Sequence, residues 1–130
     1  ATALIRDTRR AMEVHPKSAM HIVAEENGAV DGRTAFMAAE RGDAAAREVV
    51  EGYIEGLACG IANIINIFFP EVVALSGGVA NQGEALLAPL REKVKLITFG
   101  SAYAKKHTRI ELCTMGYRAG VVGAALLAKE

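Results

Sequence analysis

The chain has 130 residues, room for one modest domain, and 52% of them are apolar. Its 15 lysines and arginines balance its 15 aspartates and glutamates, so nothing draws it electrostatically to nucleic acid or an anionic membrane. Its longest nearly apolar run, Leu57 to Phe69, falls short of the roughly 20 residues of a membrane span, and no signal-peptide pattern opens the chain, so a cytoplasmic protein is expected.

Ala1 to Met12 reads as a helix almost from its first residue, with Leu4, Thr8, Ala11 and Met12 on one face and Thr2 available as an N-cap. A chain that lacks an initiator Met and opens so abruptly in a helix is expected to be a fragment of a longer protein. His15-Pro16 stops the pattern, because proline disfavours helix in the residue before it. Ser18 to Glu26 is a second short helical stretch, followed by a turn-rich link at Asn27-Gly28 and Asp31-Gly32. Thr34 to Arg41 gives one or two further turns, closed by Gly42.

Asp43 is suited to cap the longest element, Ala44 to Phe69, which spans about 39 Å as a helix. Its first half directs Val49, Val50, Tyr53, Ile54 and Leu57 inward and Glu48, Glu51 and Glu55 outward. Its second half is apolar nearly all round and is expected in the middle of a domain. Gly52, Gly56 and Gly60 recur every four residues, each costing about 1 kcal/mol of helix propensity relative to Ala. The expected return is close packing against the last segment, 119–128, whose Gly120, Gly123 and Ala124 form a second small-residue face. Asn63 and Asn66 share one edge of the long helix and are expected to bond neighbouring backbone rather than a ligand. Cys59 and Cys113 have no partner at metal-ligand spacing and read as buried, reduced thiols.

Val72 to Leu75 is a short apolar run after Pro70, read as a buried strand that passes straight into Ser76-Gly77-Gly78. Paired glycines there let the backbone turn sharply, and in open α/β sheets ligands bind beyond the carboxyl ends of strands. Gly77, Gly78 and Gly83 fit neither a G-x-G-x-x-G spacing nor a P-loop, so by itself the pair is read as a tight turn. Pro89 suits the first turn of a helix running to about Ile97, with Leu90, Val94 and Ile97 inward and Gly100 ending it. Lys105, Lys106, His107 and Arg109 form a small basic cluster, read as a solvated turn in preference to an anion contact. Arg109 to Thr114 alternates as a second strand, Ile110 and Leu112 opposite Glu111, before Met115-Gly116 turns the chain into the last helix.

This order gives a helix-rich α/β fold with two recognisable strands, parallel and joined by a helical crossover. Two parallel strands alone leave faces uncovered, so further strands are expected from upstream sequence, or a second copy at the open edge.

Three segments, ordered and spaced alike, carry a resemblance. They are Arg41-Gly42-Asp43 with Ile61-Ala62-Asn63-Ile64-Ile65-Asn66 and Phe69-Pro70-Glu71, then Val73-Ala74-Leu75-Ser76-Gly77-Gly78-Val79 with Leu86-Leu87-Ala88-Pro89-Leu90-Arg91, then Ala119-Gly120-Val121-Val122-Gly123-Ala124-Ala125. Together they resemble the carboxy-terminal part of the ROK family, bacterial sugar kinases and related repressors, and its glucokinases in particular. The match is clearest from about Arg33 onward.

The resemblance implies part of the carboxy-terminal lobe of an actin/hexokinase-like (RNase H-like) fold. Residues 1–42 would be a helical lead-in, and 43–130 the long helix, strand, Gly-Gly turn, helix, strand and helix. It implies a kinase that moves the γ-phosphoryl of ATP, with Mg²⁺, to a hexose such as glucose. Ser76, Gly77, Gly78 and Val79 would belong to its adenosine-binding turn. The family's phosphate loop, catalytic Asp, sugar-binding His and Glu, and zinc-binding Cys cluster would all lie upstream. No catalytic or metal-binding residue is therefore assigned here, and His15, His21 and His107 receive no role. A homo-oligomer is expected, with no membrane or nucleic-acid partner, and no activity from this chain alone. The alternatives are the sugar-sensing part of a ROK repressor, with an upstream helix-turn-helix, or a structural or dimerisation fragment without a ligand. Tyr117-Arg118 departs from the small or acidic residues often found there in the family, which bears on the cap of the last helix or the edge of the nucleotide site.

Overall fold

The computed structural model describes residues 1–100, 103, 106–115 and 118–128. The elements follow as α1 (Thr2–Val14), α2 (Ala19–Glu26), α3 (Thr34–Glu40), α4 (Ala44–Phe68), β1 (Val72–Leu75), a 3₁₀ turn (Gly78–Gln82), α5 (Glu84–Ile97), β2 (Arg109–Leu112) and α6 (Ala119–Leu127).

In α1, Leu4 and Thr8 are fully buried, and the Thr8 hydroxyl donates to the Leu4 carbonyl at 2.7 Å, which satisfies its polar atom inside the core. Thr2 lies within the helix and does not cap it; Ala1 holds the cap position without a side-chain bond. The helix stops ahead of Pro16, as its sequence requires. Ser18 then caps α2, accepting the Met20 N–H at 3.1 Å. The Asp43 carboxylate accepts the Ala46 N–H at 2.8 Å, capping α4, and with its other oxygen the Ala19 N–H at 2.6 Å. One side chain thus ties the starts of two helices together.

α4 is the spine, with α1, α3 and α5 packed against it. Ala46, Ile54, Ala58, Ile61, Ala62 and Ile65 are its buried residues, while Val49, Val50, Tyr53 and Leu57 lie half-buried against the same core. Glu48, Glu51 and Glu55 are exposed, and Lys93 Nζ on α5 donates to Glu55 at 2.8 Å across the α4–α5 seam. The apolar second half is not enclosed as expected, since Ile67 and Phe68 are about three-quarters exposed, at 73% and 74%. Among the described residues, α5 and a two-stranded sheet offer too little surface to surround it. Asn66 does bond backbone, accepting the Phe99 N–H at 3.0 Å, and Asn63 is exposed.

The expected packing of α6 on the glycine stripe is not found. Gly52, Gly56 and Gly60 are exposed, a Cβ on any of them would meet no atom within 4 Å, and α6 makes at most marginal contact with α4. Gly56→Leu in this chain is therefore expected to raise stability by about 0.5–1 kcal/mol through helix propensity alone. Thermal melting of the variant checks this, and a large fall would place a neighbour over the stripe. Cys59 is exposed and Cys113 half-buried, and both are free, so neither is the buried thiol expected.

β1 and β2 pair in parallel, from Val72 opposite Arg109 to Leu75 opposite Leu112. Arg109 N–H to Glu71 O at 2.9 Å and Cys113 N–H to Leu75 O at 2.8 Å extend the ladder at both ends. β1 is half-exposed rather than buried, because among the described residues it has a neighbour on one edge only. α5 starts at Glu84, a full turn ahead of the expected Pro89 start, so Pro89 sits inside the helix. Leu86, Leu87, Leu90 and Val94 face the core, whereas Ile97 ends the helix and is about half exposed. Gly100 lies beyond that end with φ +70°. Lys106, His107 and Arg109 are exposed, and Lys105, Gly116 and Tyr117 lie outside the described residues. No described helix is long and apolar enough to cross a membrane.

Candidate nucleotide-binding turn

The chain leaves β1 at its carboxyl end and reverses within three residues. Gly77 takes φ +100° and ψ 178°, a region essentially confined to glycine. Its carbonyl accepts the Ala80 N–H at 3.1 Å, closing the first loop of the 3₁₀ turn. Gly83 ends the turn with φ +60°, and its carbonyl accepts both the Leu86 and Leu87 N–H groups, so the turn feeds directly into α5. Gly83 is thus part of the construction, a role that its place just ahead of Glu84 signals and that the Pro89 start obscured.

The four predicted residues divide. Ser76, Gly77 and Gly78 are exposed, and a Cβ on either glycine would meet no atom within 4 Å. A flat or anionic group can therefore reach the backbone there without displacing protein atoms, which is what a backbone-made adenosine contact requires. Val79 instead turns its side chain into the core, 7% exposed, and anchors the turn from beneath. Its Cγ2 lies 3.5 Å from where a Cβ on Gly32 would be, so the Asp31–Thr34 link forms the floor under it. That link is held by Asp31, which accepts from the Arg33 guanidinium at 2.7 Å and from the Arg33 N–H at 2.8 Å. Burial pushes the Asp31 carboxyl pKa up, but the Arg33 and Thr34 bonds outweigh it and hold it below the ordinary value.

The turn thus offers an open backbone surface over a fixed apolar floor, at the strand end where parallel sheets bind ligands. It carries no general base, and among the described residues no three His, Cys, Asp or Glu side chains come together to hold a metal.

The ROK family model matches residues 3–130. The chain belongs to the ROK family. It is 32% identical to the glucokinase of Thermotoga maritima over 133 aligned positions, covering 100% of this chain and 40% of that protein. The glucokinase of Halalkalibacterium halodurans is 28% identical, with 100% and 39% covered. Among solved structures, a ROK family glucokinase from Streptomyces griseus, in complex with glucose and AMPPNP, superposes with a TM-score of 0.80 at 25% identity, over 95% of this chain and 40% of that one. The helix-rich α/β fold with two parallel strands is therefore part of the ROK glucokinase architecture, and the chain spans about two fifths of the relatives it matches.

Proposed function

We propose that the chain is the carboxy-terminal part of an ATP-dependent hexose kinase, glucokinase-like, in which Ser76, Gly77, Gly78 and Val79 form the adenosine-binding turn. The observation that carries this reading is the Gly77-Gly78 turn itself, open on its outer side, at the carboxyl end of a parallel strand. The glucokinase relatives, one of them bound to glucose and a nucleotide analogue, support it.

In this reading the chain's work is binding. Peptide groups at Gly77 and Gly78 receive the nucleotide, and Val79 and Gly83 hold the turn in shape. Mg²⁺, when bound with the ATP phosphates, would supply charge neutralisation for phosphoryl transfer. The intact protein works in the cytoplasm as a homo-oligomer. The aspartate base that takes the sugar hydroxyl proton, and the phosphate loop, come from sequence outside this chain. The isolated 130-residue chain is accordingly expected to show no turnover. A coupled assay with glucose, ATP and Mg²⁺ checks this; measurable sugar phosphate formation would put a catalytic base within these residues.

A further inference from the structure

A second concave site opens at the other end of the strand pair. The carboxyl end of α5, the start of β2 and the end of α4 enclose a cavity of about 480 Å³, within the range that holds small organic ligands. Buried Ile65, Val94 and Ile110 are among its lining residues, and exposed Phe69 and Phe99 stand at its edge. Arg91, Lys95, Lys106 and Arg109 also line it, with Glu111 the one carboxylate among the described lining residues. Among its described residues, a chain of zero net charge has therefore gathered four cationic side chains against a single acid around one hollow.

Two of these cations are occupied. Arg109 bonds Glu111 at 2.8 Å, and Arg91 donates through Nε to the Ile110 carbonyl at 2.9 Å, with Glu84 3.7 Å away. Lys95 and Lys106 make no hydrogen bond or ion pair among the described residues. The walls are pinned: Thr108 donates to the Pro70 carbonyl at 2.6 Å beside His107, and the Phe99 N–H is held by Asn66. Sequence spacing hides this grouping, because Arg91 and Lys95 lie one turn apart on α5 and meet Lys106 and Arg109 only through the fold.

We infer that this cavity binds a small organic phosphate whose other end is flat and apolar. Lys95 and Lys106 take the phosphate, and Phe69 and Phe99 flank the apolar part over the Val94–Ile110 floor. The charge balance selects an anion, and ammonium groups with no partner among the described residues, at an open rim, recognise phosphate as point charges. The aromatic edges and buried aliphatic floor select an organic ligand over the bare ion. The site begins at the amino ends of β1 and β2, so a ligand there occupies the opposite end of the strands from Gly77 and Gly78.

Titration of the chain with phenyl phosphate, followed residue by residue by NMR, tests this. Saturable shifts centred on Lys95, Phe99, His107 and Ile110 are expected, weakening as salt rises. Inorganic phosphate is expected to bind the same residues about tenfold more weakly, and Phe99→Ala to bring phenyl phosphate down to that level. Lys95→Ala combined with Lys106→Ala is expected to lower affinity at least tenfold; both side chains are exposed, so the fold should survive. Shifts confined to Gly77 and Gly78, no saturation by about 10 mM, or equal affinity in the double variant would overturn the assignment.

Discussion

Asp43→Ala is expected to destabilise the chain by about 3 kcal/mol and to lower Tm by roughly 10 °C. An ordinary N-cap is worth about 1 kcal/mol, but this carboxylate receives N–H groups from two helices, Ala46 in α4 and Ala19 in α2. Alanine would leave both donors without a partner in a part-buried seam, which costs more than either bond contributes alone. Burial raises the Asp43 pKa, but the bonds from Ala46, Ala19, Ser18 and Ala45 outweigh it, so the folded value lies below the ordinary one. A depressed folded pKa contributes stability that is present above the unfolded value, about 3.9, and is lost as pH falls through the folded one. The gap between wild type and Asp43→Ala should therefore be constant from about pH 7 to 5 and shrink below about pH 4. Asp43→Asn keeps an acceptor without the charge, so about 1 kcal/mol is lost and the acid dependence of this site disappears. Urea melts across that pH range check both statements. An alanine variant losing under about 1 kcal/mol would mean that packing, not the carboxylate, holds the two helix starts.

What could be read from the sequence was local, and what could not was tertiary. Ser18, Gly42, Asp43 and Pro16 mark helix ends by bonds or ring geometry within a few residues, and those ends lie where expected. Val72–Leu75 was legible as a strand from its short apolar run after Pro70, and Arg109–Thr114 from its alternation, although β2 ends at Leu112, two residues earlier. The second half of α4 looked enclosed because periodicity reports which residues are apolar, not how much protein surrounds them. The glycine stripe invited a partner helix for the same reason, and no described element covers it. Pro89 misled because helix-start statistics favour proline in the first turn, whereas Gly83 supplies the actual start and α5 tolerates one missing N–H donor. The turn at Gly77 was legible as a glycine-dependent reversal, but Val79 facing inward was not, since its environment is built by Gly32, far away in sequence. The four-cation cavity was legible only in half, as the Lys106–Arg109 cluster without its α5 partners.

The two glycines of the turn answer different questions, and a paired substitution separates them. Gly77→Ala is expected to cost about 1–3 kcal/mol, because φ +100° with ψ 178° is a conformation in which a Cβ strains the backbone even with no atom in its way. Gly78 has no such positive φ and opens the 3₁₀ turn, so Gly78→Ala is expected to leave stability within about 0.5 kcal/mol of wild type. Both variants add a methyl group on the open side of the turn. If a nucleotide sits against that backbone, AMPPNP affinity should fall about tenfold in both, although only Gly77→Ala lowers Tm. Calorimetric titration beside thermal melting reads the two effects independently. A Gly78→Ala chain that binds AMPPNP as wild type does would remove the nucleotide from the turn and leave Gly77 a purely structural reversal. Loss of affinity at unchanged stability is the one pattern that only a ligand at the Gly78 backbone produces.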